Sequence, residues 1–574
     1  KNIKLSKIIN LWSVDSIIDD TSDSKAFQIE SQNLFLSNLY LSQEILKIEN
    51  QEIYIYQITK NADQVDKEKD KNINFLQGSL YGMGRVFMNE YPDHQVRMID
   101  LGCQKLEDNI GHLIKEINKE EKVPYETEIA IRDYGRFARK LVAIEQKMDT
   151  NQELSFKNDA TYLISGGASG LGLTLAEWMF ERGARNFALV SRSGPKYERD
   201  NKIILKLQNL GANINWQDVK GDVSKEEDIN RVISYIKNNM PPFRGIIHSA
   251  GILDDSSYPN MTKERFFKVY DPKALGAWNL HRATLDTELD LFLLISSVSS
   301  FIGIGGQSNY SSANSFLNYL SIYRNSNGLA CHSACFGLIG GDYAGMTKDS
   351  KKNVDSIYRA LGTVVINRSD IDLKLEELLN SNFDYLMISS MKWSNFVKTY
   401  KSVKDRFMFS AVIKKDSFSK SNNLDGILQK IIASDDIDWK VEKVSELLAN
   451  SVADILGVSG EDISLNNSIT TIGLDSLMLN QFRSWIQLNI EINLFLMRLA
   501  KGPSLTELAT EIIFMLKKDS DNVGLDKSGI DGDDDIVVSS DKWFGRRRKE
   551  DDNVKIKIFC LHPVGAGALI FSHF

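Results

Sequence analysis

Four polar residues in the middle of this chain have the types that ketone chemistry needs. Tyr310 and Asn314 lie in "SNYSSAN", Ser297 ends the apolar run "DLFLLISS", and Lys273 lies in "VYDPKALGAWNL". Adding hydride to a ketone requires a proton for the forming alkoxide. A tyrosine at its usual pKa of about 10 donates poorly at neutral pH unless the phenolate is stabilised, and a nearby ammonium provides that stabilisation. Tyr310 is therefore the candidate acid and Lys273 the candidate cation. Ser297 is placed to hydrogen-bond a carbonyl, and Asn314, one helical turn beyond Tyr310, shares its face.

A second pattern precedes these residues. "TYLISGGASGLGLTLAEW" sets Gly166, Gly167, Ser169, Gly170, Leu171 and Gly172 between an apolar strand and a helix expected to open at Leu173. Glycines there let the backbone approach a pyrophosphate, whose charge the helix N-terminus stabilises. The next strand, "NFALVS", ends in Ser191 and Arg192. No acidic residue stands there to hold a ribose 2′-hydroxyl, and an arginine suits a 2′-phosphate, so NADPH is expected over NADH. The alternative is a solvated surface charge. Asp222, beside Val223, either accepts from an adenine amine or caps the next helix with Ser224. "HSAG" places Ala250 and Gly251 at a further strand end.

The elements that must position these groups alternate strand and helix. Residues 156–400 read as a parallel α/β unit with strands at "ATYLIS", "NFALVS", "RGIIHS" and "DLFLLISS", and residues 1–155 read as a second such unit without a catalytic constellation. The loop "NADQVDKEKDKN" is expected to be solvated because of its charge density. Residues 401–440 read as a linker with a helix possible. Residues 441–517 read as a helical bundle, with Ser504 and Glu507 as a capping box. Residues 518–554 have disordered-linker composition, and residues 555–574 offer one strand and a glycine-rich turn.

Composition narrows the partners. The chain has 574 residues, 42% hydrophobic and 25% charged, with 69 basic against 77 acidic residues. No basic stripe interleaved with aromatics is present, so nucleic acid is not an expected partner. No apolar run is long enough to span a bilayer, so no membrane association is expected. The start lacks a signal-peptide pattern and reads as cut from something longer. The four cysteines, Cys103, Cys331, Cys335 and Cys560, are too scattered for a disulfide framework or a metal site, which fits a reducing cytoplasm.

The order Lys273, Ser297, Tyr310, Asn314 resembles the ketoreductase domain of modular polyketide synthases and related fatty acid synthases. That family carries Tyr and Asn on one helix and brings the Lys from the helix before. The resemblance implies a short-chain dehydrogenase/reductase-type fold of two Rossmann-like subdomains. It implies that Lys273 depresses the tyrosine pKa and touches the nicotinamide ribose, that Ser297 orients the ketone, that Tyr310 protonates it, and that Asn314 supports the lysine and a proton-relay water. Leu253, Asp254 and Asp255 in "GILDDSS" match a marker for the D-configured 3-hydroxyl, with a solvated acidic loop as the plain alternative. "GSLYGMGRVF" and "EIAIRDYGRFARKL" resemble the structural, cofactor-free half of the family.

"GLDSLMLNQF" resembles the acyl carrier protein motif, which implies a four-helix carrier with 4′-phosphopantetheine attached at Ser476 by a phosphopantetheinyl transferase. The plain alternative is that Ser476 only caps its helix. "IKIFCLHPVGAGALIFSHF" looks like the opening of an α/β-hydrolase thioesterase. A polyketide synthase fragment of this kind implies a β-ketoacyl chain on the carrier, upstream ketosynthase and acyltransferase domains, and a downstream thioesterase. The rival readings are a silent reductase scaffold with only the carrier functional, and a reductase of free small ketones.

Overall fold

The computed structural model describes residues 5–48, 51–119, 123–144, 154–340, 358, 361–413, 431, 434–456, 458–474, 476–490, 492, 494, 496–521 and 559–561. Two large sheets are present among the described residues. The first has the order β15-β1-β2-β3-β4-β5, with β1 (Lys7–Asn10), β2 (Tyr54–Lys60), β3 (Gln95–Leu101), β4 (Glu128–Arg132), β5 (Gly135–Ala138) and β15 (Phe559–Leu561). Only the β4–β5 pair is antiparallel in this sheet. Helices α1 (Ser24–Ile45), α2 (Phe75–Gly78), α3 (Leu80–Glu90) and α4 (Leu106–Asn118) connect its strands.

The second sheet is parallel throughout, in the order β13-β11-β10-β9-β6-β7-β8. Its strands are β6 (Thr161–Ser165), β7 (Asn186–Val190), β8 (Asn213–Asn215), β9 (Phe243–His248), β10 (Leu291–Ser297), β11 (His332–Phe336) and β13 (Tyr385–Ile388). A small pair, β12 (Thr363–Val364) with β14 (Ser390–Met391), stands apart. Every residue of β6, β7 and β10 is buried, as expected for strands covered by helices on both faces. The helices are α5 (Gly170–Glu181), α6 (Glu198–Asn209), α7 (Glu226–Asn239), α8 (Lys263–Arg282), α9 (Ser299–Ile302), α10 (Ser308–Ser326) and α11 (Arg368–Leu379). Strand order reverses between β6 and β9, which opens a crevice at their carboxyl ends.

Small residues let the two subdomains touch backbone to backbone. A Cβ on Gly82 of α3 would lie 2.2 Å from the Ser311 carbonyl oxygen of α10, and one on Gly78 would strike the Tyr319 ring. The helix that carries Tyr310 therefore lies directly on the first subdomain.

Four expectations are corrected here. Residues 401–413 are not a linker: short 3-10 turns at Lys401–Asp405 and Phe407–Phe409 fold back, burying Val403, Met408, Phe409 and Ile413 with Phe396 and Tyr400. The loop 61–72 is not simply solvated, because Asp63 and Asp70 are drawn inward by Arg139 and Arg132. Helix α5 opens at Gly170 rather than Leu173. Strand β15 joins the edge of the first sheet beside β1, pairing Ile8 with Phe559, so the described part of 555–574 builds no sheet of its own. An edge strand offers free backbone groups to a short apolar segment.

The carrier region is helical as expected, over Ile437–Leu456, Ile469–Ile472, Ser476–Asn489, Leu496–Ala500 and Leu505–Asp521. Its first helix starts earlier than residue 441. Val444, Leu448, Val452, Phe482, Ile486, Leu508 and Ile512 form its core. The capping box is present: Ser504 N–H donates to Glu507 (2.9 Å) and Glu507 N–H donates to Ser504 Oγ (3.2 Å). The remainder of 518–554 beyond Asp521 lies outside the described residues, as does Asp475.

Candidate active site

The crevice between β6 and β9 opens into a cleft of about 620 Å³, within the range of small-molecule and cofactor sites. At one end stands the glycine loop. Gly166 and Gly170 have φ of +69° and +54°, values that glycine adopts freely. A Cβ on Gly166 would lie 3.1 Å from Ala250, and one on Gly172 would lie 2.4 Å from the Gly166 carbonyl oxygen. This end is a cradle that side chains would fill, and it suits a pyrophosphate-bearing cofactor.

Of the residues expected to hold the cofactor, Gly166, Ser169, Gly170, Leu171, Gly172, Ser191, Arg192, Asp222, Val223, Ala250 and Gly251 all line the cleft. Gly167 does not. A Cβ there would meet the Ile164 carbonyl at 2.6 Å and Leu189 at 3.0 Å, so its role is close packing under the loop. Arg192 is exposed at the cleft wall. Asp222 Oδ1 accepts from Ser224 N–H (3.0 Å) and Oγ–H (2.7 Å), which shapes the turn before α7 while leaving Asp222 on the cleft. Ser193, Gly194, Lys196 and Tyr197 also line this end.

At the other end Lys273, Ser297 and Tyr310 converge. Lys273 lies mid-helix, because Thr262 caps α8 well upstream, accepting from Arg265 N–H at 3.3 Å, and Pro272 is tolerated inside the helix. Its ammonium donates to the Ile295 carbonyl (2.9 Å) and sits 5.4 Å from the Tyr310 ring centroid. A Cβ on Gly251 would come within 2.8 Å of Lys273 Cε, so only glycine leaves the lysine its path. Burial pushes Lys273 down to about 7.

Burial also pushes Tyr310 up to about 12, against hydrogen bonds with Asn314 and Ser297 that pull it down. Removal from water is the largest cause, and the Asp255 charge adds to it. The consequence is a phenol that keeps its proton throughout the neutral range.

Asn314 stands behind Tyr310 and does not line the cleft. Its Nδ2 donates to the Tyr310 carbonyl (2.8 Å), and its Oδ1 is buried without a hydrogen-bond partner. An unpartnered buried acceptor of this kind is a place for a water. Beneath the lysine, His248 Nε2–H donates to the Lys273 carbonyl (2.9 Å) while its Nδ1 accepts from Ser165 (2.7 Å). Burial, with the Lys273 charge, holds the His248 pKa down at about 3, so this imidazole is a neutral strut.

Sequence reasoning missed Tyr358. This buried phenol lines the cleft, and its pKa is raised by burial and by Tyr310, against a hydrogen bond with Ser297. No local pattern marked it, since it follows a stretch with no motif.

The "LDD" triplet divides. Leu253 lines the cleft, whereas Asp254 and Asp255 do not. Asp254 pairs with Arg265 (2.6 Å) and Lys268 (2.8 Å), and Asp255 accepts from Gln307 (2.9 Å). Both carboxylates anchor the loop rather than face the crevice, which also excludes a freely solvated acidic loop. Cys331 and Cys335 are buried, and no cluster fit for a metal occurs among the described residues.

Ser476 is the first residue of the helix Ser476–Asn489, and Gly473 just before it is left-handed with φ of +109°. Leu474 is buried and Met478 partly so. Among the described residues no helix is long and apolar enough to cross a membrane.

Residues 160–341 match the KR domain family, and residues 446–512 match the phosphopantetheine attachment site family. A hybrid PKS-NRPS synthetase of Aspergillus niger is 30% identical over 414 residues, 68% of this chain and 10% of the relative. A type I polyketide synthase of phenolphthiocerol synthesis from Mycobacterium marinum is 41% identical over 181 residues, 31% of this chain and 8% of the relative. The chain thus spans a tenth or less of the length of these two relatives. Among solved structures, an A-type ketoreductase from a modular polyketide synthase is 25% identical with a TM-score of 0.59, covering 66% of this chain and 77% of that one. The first ketoreductase of the tylosin PKS, 23% identical with a TM-score of 0.59, covers 71% and 82% and shares the fold.

Proposed function

We propose that this chain, which carries the ketoreductase and phosphopantetheine-attachment domains of a type I polyketide synthase, reduces a β-ketoacyl thioester to the 3-hydroxyacyl thioester. The observation that carries this reading is one cleft that holds the glycine cradle at one end and Lys273, Ser297 and Tyr310 at the other.

NADPH bound along the glycine loop would supply the hydride for the ketone carbon. The chain's own residues do the rest. Ser297 donates a hydrogen bond to the ketone oxygen and so draws electron density toward it. As the carbonyl carbon gains its hydride, the oxygen becomes an alkoxide and takes the proton of Tyr310. The charge left on the phenolate is met by the Lys273 ammonium over the ring, and a water at Asn314 Oδ1 can return the proton. His248 keeps the Lys273 backbone in register with β6 and β9. Gly166, Gly170 and Gly172 would admit the pyrophosphate, and Arg192 would meet the 2′-phosphate that distinguishes NADPH.

The D-configured product remains the proposed stereochemistry, with Leu253 as the member of the triplet that faces substrate. Ser476 is the proposed attachment point for 4′-phosphopantetheine, loaded by a phosphopantetheinyl transferase. Ketosynthase and acyltransferase domains are the proposed source of the β-ketoacyl chain. A thioesterase beginning near residue 555 is its proposed release, in a reducing cytoplasm.

The test uses purified chain, NADPH and a β-ketoacyl N-acetylcysteamine thioester. Wild type oxidises NADPH, Ser476→Ala does so equally on this free thioester, and Tyr310→Phe does not. Failure of wild type ends this reading, and turnover indifferent to Tyr310 ends the mechanism.

A further inference from the structure

Two loops beside the cleft, one giving Leu253 to its lining and the other leading to Tyr310, are tied to α3, a helix of the subdomain that contributes nothing to the cleft lining. One loop, Leu253–Ser257, follows β9, and the other, Gly303–Gln307, leads into α10 and Tyr310. Asn89 Nδ2 donates to the carbonyls of Ile302 (2.7 Å) and Gly303, and Arg85 donates to the Ser300 carbonyl. Glu90, only 1% exposed, accepts on Oε1 from Gly306 N–H (2.7 Å) and on Oε2 from Tyr258 N–H (3.2 Å). Ser256 N–H in turn donates to the Gly306 carbonyl (2.7 Å). One carboxylate thus closes a ring of backbone bonds through both loops.

A buried carboxylate is costly unless its oxygens are satisfied, and here one amide donor meets each oxygen. Glutamine has the same shape but turns an N–H₂ toward one of those donors. Aspartate is a methylene short.

We infer that Glu90 is a positioning residue for the reduction: its carboxylate sets the spacing of the two loops that frame the cleft, and through Gly306 the placement of Tyr310. This rests on the reductase reading. Around Glu90 the phenols Tyr91 and Tyr258 are raised by burial and stay neutral. Arg85 on the same helix is taken by Glu128, and Arg406 by Asn89, Ser402 and the Met88 carbonyl. On the loop side Asp255 accepts from Gln307, and Asp254 is held by Arg265 and Lys268. Burial raises Glu90 to about 7, opposed by its two backbone donors. Protonation puts a hydrogen where an N–H already points, so the clamp is complete only above about 7; because Lys273 titrates in the same range, the Glu90 limb is read as the difference between wild type and variant. Stability responds in the opposite sense: this carboxyl favours the folded state fully below 4.5, and that contribution is lost as pH rises through about 7.

The experiment measures kcat for NADPH-dependent reduction from pH 5.5 to 9 in wild type and Glu90→Gln of the full chain. At pH 8 the variant is expected to turn over roughly 10- to 100-fold more slowly, as for a misplaced catalytic group, with unchanged KM for NADPH and without the Glu90 part of the limb near 7. A variant that keeps the wild-type kcat or the wild-type limb overturns the inference. Wild type that oxidises no NADPH overturns the reductase reading itself, and this inference with it. Amide exchange separates the clamp from folding: at pH 8 the protection factors of Gly306 and Tyr258 fall in Glu90→Gln while those of β6 and β10 hold, and unchanged protection at both amides overturns the proposal.

Discussion

The two large sheets use the same strand-and-helix alternation but treat their carboxyl ends in opposite ways. In the second sheet that end is emptied by glycine: Gly166, Gly170 and Gly172 leave a crevice at the point where strand order reverses. In the first sheet it is filled with charge. Asp63 follows β2, Asp100 lies near the end of β3 and Arg132 ends β4. Arg132 Nη2 bonds Asp100 (2.6 Å) and the Asp63 carbonyl (2.6 Å), while Asp100 also accepts from Thr59 (2.8 Å) and Ala62 N–H (2.8 Å). Asp63 accepts from Tyr81 (2.8 Å), from Arg139 and, across the subdomain boundary, from Tyr319 of α10 (2.6 Å). A doubly wound sheet binds ligands at this edge; the first sheet has occupied it with its own side chains. One half of the enzyme thus holds a cavity and the other a plug that braces it.

Tyrosine substitutions test that contrast most strongly. Tyr310→Phe should lower kcat by roughly 10²- to 10⁴-fold, the usual worth of a general acid, with an unchanged melting temperature. Tyr81→Phe removes one bond to Asp63 and should cost about 1–2 kcal/mol in urea denaturation while turnover persists. Comparable losses of kcat in the two would erase the distinction.

Charge removal sharpens it further. Arg132→Met strands the buried Asp100 and should destabilise by roughly 3–5 kcal/mol. Lys273→Met removes a buried ammonium that donates to the Ile295 carbonyl; the variant should fold at least as stably and reduce nothing. The sign follows from the depressed pKa. The folded chain binds fewer protons than the unfolded one between about 7 and 10.5, so wild-type stability rises with pH across that window. The stability gained by Lys273→Met is therefore greatest below pH 7 and fades toward pH 10.5, as denaturation at pH 6.5 and 9.5 would report.

Glycine replacements give a smaller pair. Gly172→Ala drives a Cβ into the Gly166 carbonyl and should weaken NADPH binding by about tenfold or more, read by nucleotide fluorescence. Gly111→Ala in α4 meets nothing within 4 Å and should stabilise by about 0.4–1 kcal/mol. The smallest effect expected is at Arg192, whose exposed charge is screened by salt. Arg192→Ala should raise the KM for NADPH by roughly threefold to tenfold, leave that for NADH unchanged, and do less at high ionic strength.

Much of the site was legible because its logic is local. A glycine loop between strand and helix, a serine at a strand end and an asparagine one turn past a tyrosine are patterns within a few residues of each other. Lys273 is legible because Asn314 stands one turn beyond Tyr310 where no lysine does, which leaves the preceding helix to supply the cation. The misses share a cause. Asp63 sits in a run so charged that solvation was the natural reading, yet its partners Arg139 and Tyr319 lie far along the chain. Residues 401–413 mix polar and apolar types without a period, because their turns are shaped by Tyr125 and Leu141: Tyr125 N–H donates to the Asp405 carbonyl and Leu141 N–H to that of Met408. Glu90 ends an unremarkable helix, and the groups that pin Asp254 and Asp255, namely Arg265, Lys268 and Gln307, lie outside the triplet.

The amino-acid order alone carries the chemistry proposed for this chain: a nucleotide loop, a proton donor with its cation, and a serine opening a carrier helix. Those follow from residue type and short-range spacing, which backbone geometry translates directly. Folding decided what neither type nor spacing encodes: which carboxylates face a crevice and which are pinned, and how deeply burial shifts Tyr310 and Lys273. It also decided that a glutamate 216 positions from Gly306 holds the catalytic loop. Burial and long-range pairing are properties of the packed chain, and they exist only once distant segments displace the water between them.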